Sequence, residues 1–131
     1  MTATAISQGH NEARLGGTLA YLDAGPDKAF VRIYGGTRPV AGASPGTPLL
    51  VQIELNDPSG TVTNNSLVLS SIDLATVGNS GTATWARIIN GNGDWVIDCD
   101  AGAQGSGAPV ILSSTTLYAG GKVGLLSGVF Y

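Results

Sequence analysis

Residues 83–100 read ATWARIINGNGDWVIDCD and predict a β-hairpin. Two runs rich in β-branched and aromatic residues flank an NGNG turn, and Asn-Gly tolerates the positive φ that tight hairpin turns need. A type I′ turn centred on Asn92 and Gly93 would place Arg87 opposite Asp98. With that turn the two side chains could form an ion pair, which would contribute about 0.2–1 kcal/mol and set the register more than the stability.

Other short apolar runs continue this pattern along the chain. Residues 49–55 alternate between apolar and polar side chains, as a strand with one buried face does. With this run and the hairpin, seven strands are predicted, at residues 29–34, 49–55, 67–72, 83–89, 95–100, 110–117 and 122–131. Such strands, separated by turns rich in Gly, Pro and Asn, predict an all-β fold, an antiparallel β-sandwich of jelly-roll type with a short N-terminal helix. Segments 37–48 and 101–109 are expected to be long loops.

One segment, residues 11–23, has helical periodicity. Leu15, Leu19 and Leu22 fall on one stripe, and Asn11 is a suitable N-cap. A pair of glycines in the middle makes so short a helix unstable alone. The stripe must therefore be covered, either by a neighbouring chain or by the sandwich of the same chain.

Length and charge set further limits. The chain of 131 residues fits one domain, with an N-terminal arm and helix at 1–28 and the sandwich at 29–131. Only 11% of the residues are charged, against about 25% in a typical globular protein. Six basic against nine acidic residues argue against a nucleic-acid partner, because no basic patch is available to neutralise phosphates.

The sequence also bears on whether the protein is secreted, disulfide-bonded or inserted in a membrane. The single Cys99 cannot form an internal disulfide. Residues 1–7 lack the basic and apolar regions of a signal peptide, and no apolar run reaches the roughly 20 residues that span a bilayer. We therefore expect a protein made in the cytoplasm, with no membrane partner.

The residues of the hairpin turn match the pattern of a calcium-binding loop only in part. Asn90, Asn92 and Asp94 have the spacing of oxygen ligands, but an EF-hand would require glycine at Trp95 and an acidic residue at Ala101. A hairpin turn accounts for these residues better. We expect no metal and no cofactor.

The sequence gives equally little support for a set of catalytic residues. Asp94, Asp98 and Asp100 cluster near one strand, where a pair of carboxylates could act as general acid and base. His10 and Cys99 lie far apart in sequence, and nothing brings them together. We expect a protein that is not an enzyme. A hydrolase would require a concave pocket containing at least two acidic side chains.

Aromatic residues offer one more possibility. Tyr34, Trp85, Trp95 and Tyr118 could form an exposed platform on which sugars stack, or they could belong to the core. A carbohydrate-binding module should expose two or more of them in one plane.

Several blocks of the sequence carry a family resemblance. They are VRIYGGTRP at 31–39, PLLVQIEL at 48–55, SGTATWARII at 80–89, VID at 96–98 and LSSTTLYAGGKV at 112–123. Their order resembles that of small proteins encoded among the head and tail structural genes of tailed bacteriophages and prophages. The resemblance extends from about Leu15 to the C-terminus, and the first and third blocks are the most distinctive.

The resemblance implies a non-enzymatic component of the virion. Its nearest functional analogue is a jelly-roll cement, or decoration, protein that binds the major capsid protein or other virion subunits on the outside of a phage head. A carbohydrate-binding module on the head or tail surface is the alternative. Localisation would be the virion, assembled in the cytoplasm of the host bacterium.

Apolar residues that have no evident packing partner within the chain should be covered by neighbouring chains. We expect a homo-oligomer or a contact with a capsid subunit at these positions. The predicted interface residues are Ile6, Leu15, Leu19, Leu22, Phe130 and Tyr131.

Overall fold

The computed structural model describes residues 5–71 and 74–131. It contains one helix and eleven strands in these ranges. They are α1 (Gln8–Leu22), β1 (Phe30–Tyr34), β2 (Leu49–Thr63), β3 (Ser66–Ser71), β4 (Ala75–Thr76), β5 (Gly81–Thr82), β6 (Trp85–Ile89), β7 (Trp95–Gly102), β8 (Val110–Leu112), β9 (Thr116–Leu117), β10 (Lys122–Val123) and β11 (Leu125–Phe130).

Seven strands form a closed barrel in the order β1-β2-β3-β11-β8-β7-β6, with β6 returning to β1. All neighbours are antiparallel except β7 and β8. Two short ribbons, β4 with β10 and β5 with β9, lie outside the barrel order. The predicted jelly-roll sandwich is therefore wrong, although the expectation of a mostly β fold with one helix holds.

The physical reason for closure lies in β1 and β2. β1 pairs with β2 along one edge and with β6 along the other, so the sheet joins itself. β2 is 15 residues long and shifts register between Leu55 and Gly60, so its first half pairs with β1 and its second half with β3. Such irregularities bend a strand and help a sheet to curl.

The core fills the inside of this barrel. Inward positions alternate with outward ones along each strand, as the strand period of two requires. The fully buried inward side chains include Val31, Ile33, Ile53, Leu55, Leu67, Ala86, Ile88, Val110 and Leu112.

The Arg87–Asp98 register of the predicted hairpin is confirmed, but the predicted type I′ turn is wrong, because Gly93 has a positive φ of 87° and Asn92 does not. Arg87 pairs with Asp98, and the register shifts only beyond Ile88, next to the turn. Other predicted strands differ in extent: residues 110–117 divide into β8 and β9, and 122–131 into β10 and β11. The end of the predicted 67–72 strand, Ile72, lies outside the described residues.

Helix α1 covers one end of the barrel, where the β2–β3 turn and the β6–β7 turn both lie. It begins earlier than the sequence indicated, because Ser7 is the N-cap and accepts a hydrogen bond from the His10 N–H at 3.1 Å. Leu15 and Leu22 are buried in the barrel core, and Leu19 is partly buried against it. The same chain therefore covers most of the leucine stripe.

The C-terminal end of the helix is fastened to strand β2 and to the β6–β7 turn. Asp23 accepts hydrogen bonds from the backbone N–H of Ser59 at 3.0 Å and from its hydroxyl at 2.5 Å. The buried Asn90 amide donates to the Tyr21 carbonyl at 3.2 Å. Gly91 must be glycine here, because a Cβ would lie 2.1 Å from the Asp27 carbonyl oxygen.

Within the described ranges, the chain forms no helix that is both long and apolar enough to cross a membrane.

The buried helix predicts a large effect of truncating Leu22. We expect Leu22→Ala to lower the free energy of unfolding by about 2–5 kcal/mol, because the change leaves a cavity in the barrel core. Leu126→Ala, the same change at an exposed leucine, should alter it by less than about 0.5 kcal/mol. Urea denaturation of both variants measures this, and equal losses would contradict the packing described.

Candidate functional site

Three adjacent strands of the barrel wall contain no charged residue. The strands β3, β8 and β11 contain no Asp, Glu, Lys, Arg or His. Val68 and Val129 are cross-strand partners that face outward, and Ile111 pairs with Ser127 on the same side. We use the name neutral face for these three residues and two exposed ones from the same C-terminal stretch, Leu126 (57% exposed) and Tyr131 (85% exposed): Val68, Ile111, Leu126, Val129 and Tyr131.

An open groove of about 510 Å³ runs along this face, between β11 and the loop that precedes β8. The loop turns through Gly105 and Gly107, whose positive φ values of 89° and 80° favour glycine. Val129 donates its N–H to the Pro109 carbonyl at 3.1 Å and so ties the loop to the strand. The lining residues are Gly105, Gly107, Ala108, Pro109, Ile111, Ser127, Val129, Phe130 and Tyr131.

The six predicted interface residues occupy different places. Phe130 and Tyr131 come together in the groove, with Phe130 also packed against the core. Ile6 is 41% exposed just before the helix. The three helix leucines instead pack on the barrel of their own chain, and any contact of theirs with another chain stays a prediction.

Strands β6 and β7 hold the ion pair considered for the hairpin. Arg87 Nε lies 2.7 Å from Asp98 Oδ1, and Arg87 Nη2 lies 3.0 Å from Asp98 Oδ2. The Gly42 N–H donates to Asp98 at 2.9 Å, and Arg87 donates to the Ala43 carbonyl at 2.7 Å. The pair therefore holds the loop of residues 35–48 against the wall, which the loop's composition did not reveal.

Because the Arg87–Asp98 pair is buried, removing one partner should lower the free energy of unfolding by more than the sequence led us to expect. The Arg87 and Asp98 side chains are only 9% and 4% exposed, whereas the estimate of 0.2–1 kcal/mol applies to exposed pairs. Burial raises the pKa of Asp98, but hydrogen bonds from Arg87 and Gly42, with the charges of Arg87 and Arg38, outweigh it and leave that pKa below its ordinary value. The hydrogen bond to Asp98 raises the pKa of Arg87. Both groups therefore stay charged at neutral pH.

Aromatic residues do not form the platform that sugar stacking requires. Tyr34 and Trp85 stack with their ring centroids 4.6 Å apart, but both are buried beneath the loop, and Arg87 lies 5.3 Å from the Trp85 ring centroid. Trp95 begins β7 beside the end of β6, whereas Tyr118 follows β9 near the start of β6. The two exposed aromatics of this set thus lie at opposite ends of the barrel.

The acidic residues are likewise dispersed. Asp98 is occupied by Arg87 and Gly42, while Asp100 is exposed and 3.4 Å from Arg38. A shallower groove of about 410 Å³ includes Asp100 as its single carboxylate. Neither groove described therefore holds the two acidic side chains that a hydrolase would require. Burial raises the pKa of the Cys99 thiol to about 12, which disfavours its reactive thiolate.

The calcium-like spacing has a structural explanation. The Asn90 side-chain oxygen accepts hydrogen bonds from the backbone N–H groups of Asn92 and Asp94, at 3.0 and 2.9 Å. Across 5–71 and 74–131, no three His, Cys, Asp or Glu side chains group closely enough to hold a metal ion. The Asn90 side chain therefore stabilises the turn through these two hydrogen bonds.

Comparison of the chain with protein-family models, with curated proteins and with solved structures finds no match to any of them.

Sequence reasoning missed most of the neutral face. It selected Phe130 and Tyr131 because they end the chain, but Val68, Ile111 and Val129 come together only through the strand order. One signal was readable: residues 101–131 contain a single charged side chain, Lys122. Such a charge-poor stretch is typical of a surface that associates.

The buried ion pair predicts a strong contrast between two neighbouring aspartates. Asp98→Ala should lower the free energy of unfolding by about 3–5 kcal/mol, because it leaves the Arg87 charge buried without its partner. Asp100→Ala removes the same group from a pair whose aspartate is 68% exposed, and should cost less than about 1 kcal/mol. Urea denaturation followed by tryptophan fluorescence compares them. Similar losses would mean that the pair does not hold the loop.

Proposed function

We propose that this chain is a structural subunit of a bacteriophage particle, a decoration (cement) protein that attaches to the capsid shell through the neutral face. The segregation of charge on the barrel is the observation that carries this proposal. Arg32, Arg87 and Asp98 lie on strands β1, β6 and β7, while β3, β8 and β11 have no charged residue.

An exposed apolar surface without charges favours association. Scattered apolar residues are normal on a soluble protein, but a contiguous apolar patch marks a site for a partner. Val68, Val129 and Ile111 are neighbours across three adjacent strands, and Leu126 adds a further exposed leucine. Burial of such a surface against the shell would supply the driving force for attachment.

Barrel closure supports attachment through side chains. A strand at the edge of an open sheet can pair with a strand of another chain, but a closed barrel removes such edges. All seven strands of this barrel have a neighbour on each side in the described order. The resemblance of blocks 31–39 and 80–89 to small phage structural proteins is the reason for proposing a phage particle. The alternative, a carbohydrate-binding module, loses the platform it needs, since Tyr34 and Trp85 are buried.

A binding experiment on phage heads tests the proposal. Heads assembled without this protein are mixed with the purified chain and sedimented, and the bound copies are counted against concentration. We expect Leu126→Asp to weaken binding by about tenfold or more, because the charge must be desolvated in the contact. Val40→Asp is the matched control, since Val40 is 83% exposed in the loop that Arg87 and Asp98 hold, outside the neutral face.

Circular dichroism first establishes that both variants are folded. Tight binding by the unchanged chain and by Val40→Asp, with weakened binding by Leu126→Asp, supports the proposal. Equal binding by both variants would exclude the neutral face, and absence of binding by the unchanged chain would overturn the decoration role.

A further inference from the structure

The turn between β6 and β7 contains two Asn-Gly steps, Asn90-Gly91 and Asn92-Gly93. At such a step the backbone nitrogen of the glycine can attack the side-chain carbonyl carbon of the asparagine, because glycine has no side chain to hinder the approach. The asparagine side chain must first turn toward that nitrogen, so a side chain held in one rotamer reacts slowly. The two steps therefore differ in reactivity if the fold holds the two side chains differently.

The Asn90 side chain is held in place by the fold. It is fully buried, its amide nitrogen donates to the Tyr21 carbonyl at 3.2 Å, and its oxygen accepts the N–H groups of Asn92 and Asp94. Gly91, whose nitrogen would be the attacking atom, is buried as well. Because three hydrogen bonds must break first, attack at Asn90 requires the turn to separate from the end of the helix.

The Asn92 side chain is not held in this way. Asn92 and Gly93 are both exposed, and none of the hydrogen bonds of the turn uses the side-chain amide of Asn92. The Gly93 N–H donates to the Asn90 carbonyl at 3.0 Å, and an exposed hydrogen bond of this kind opens readily to water. The Asn92 side chain can therefore turn toward the Gly93 nitrogen without disturbing the core.

We propose that Asn92 is a site of spontaneous deamidation and that the fold protects Asn90 in the same turn. The Gly93 nitrogen loses its proton and bonds to the Asn92 Cγ, and the side-chain nitrogen leaves as ammonia with that proton. Water then opens the resulting succinimide ring at either carbonyl, which gives aspartate or isoaspartate. Overall, water is consumed and ammonia is released, with no oxidation or reduction.

The isoaspartate product should disturb the contact between the turn and the chain that follows α1. Gly25 lies so close to the turn that a Cβ on it would be 2.5 Å from the Asn92 Oδ1 and 2.5 Å from the Gly91 carbonyl carbon. In isoaspartate the main chain runs through the side-chain carbon atoms, which lengthens the turn at this point. A closely packed contact has no room for that change.

Peptide mapping by mass spectrometry tests the proposal on the purified full chain, aged in warm, mildly alkaline buffer with and without urea. In the folded chain, Asn92 should deamidate at least about tenfold faster than Asn90. In urea, where both side chains are free, the two rates should become similar. Asn92→Gln should abolish the reaction at this position, because its longer side chain closes a larger ring, and should leave Asn90 protected. Circular dichroism establishes that this variant is folded.

A second variant separates the effect of the added charge from that of the lengthened chain. Asn92→Asp carries the charge of the product with an ordinary backbone, so aged protein enriched in isoaspartate should unfold at a lower urea concentration than Asn92→Asp. Equal rates at Asn90 and Asn92 in the folded chain, or an unreactive Asn92 in a folded chain whose two asparagines both react in urea, would overturn the proposal. Phage heads take no part in these measurements, so their outcome is independent of the decoration role.

Discussion

Strand β1 hydrogen-bonds to β2 along one edge and to β6 along the other, and this double pairing closes the barrel. Closure has two consequences. The wall offers no unpaired strand among the seven, so association depends on side chains. The open end near the β2–β3 turn must be covered, and α1 does this by burying Leu15 and Leu22. The chain thus covers its own helix stripe and leaves the neutral face exposed.

Local features of the fold could be predicted because they depend on neighbouring residues. The Asn-Gly sequence marked the hairpin, and Arg87 lies opposite Asp98 as predicted, although the turn is not type I′ and the register shifts between Ile88 and Ile89. Closure could not be predicted, because a sandwich and a barrel have the same alternation of buried and exposed residues. The helix start was also misplaced: Asn11 has the chemistry of an N-cap, but its side chain bonds to Asn65 while Ser7 takes the cap.

The candidate site was only partly predictable for a related reason. Phe130 and Tyr131 follow from sequence as apolar residues at the chain end, but their neighbours come from β3 and β8, which only the strand order brings beside β11. The leucine stripe showed that burial was needed without showing which surface supplies it. The loop of residues 35–48 looked unanchored, because its contacts with Arg87 and Asp98 come from a hairpin more than 40 residues later.

Hydroxyl-radical footprinting of the chain, free and bound to phage heads, tests most directly whether the neutral face is the contact surface. The reaction modifies exposed side chains, and mass spectrometry locates the products. We expect Leu126 and Tyr131, both exposed in the free chain, to lose reactivity on the head, while Val40 and Trp95 keep theirs. Protection of Val40 and Trp95 with unchanged reactivity at Leu126 and Tyr131 would contradict the account.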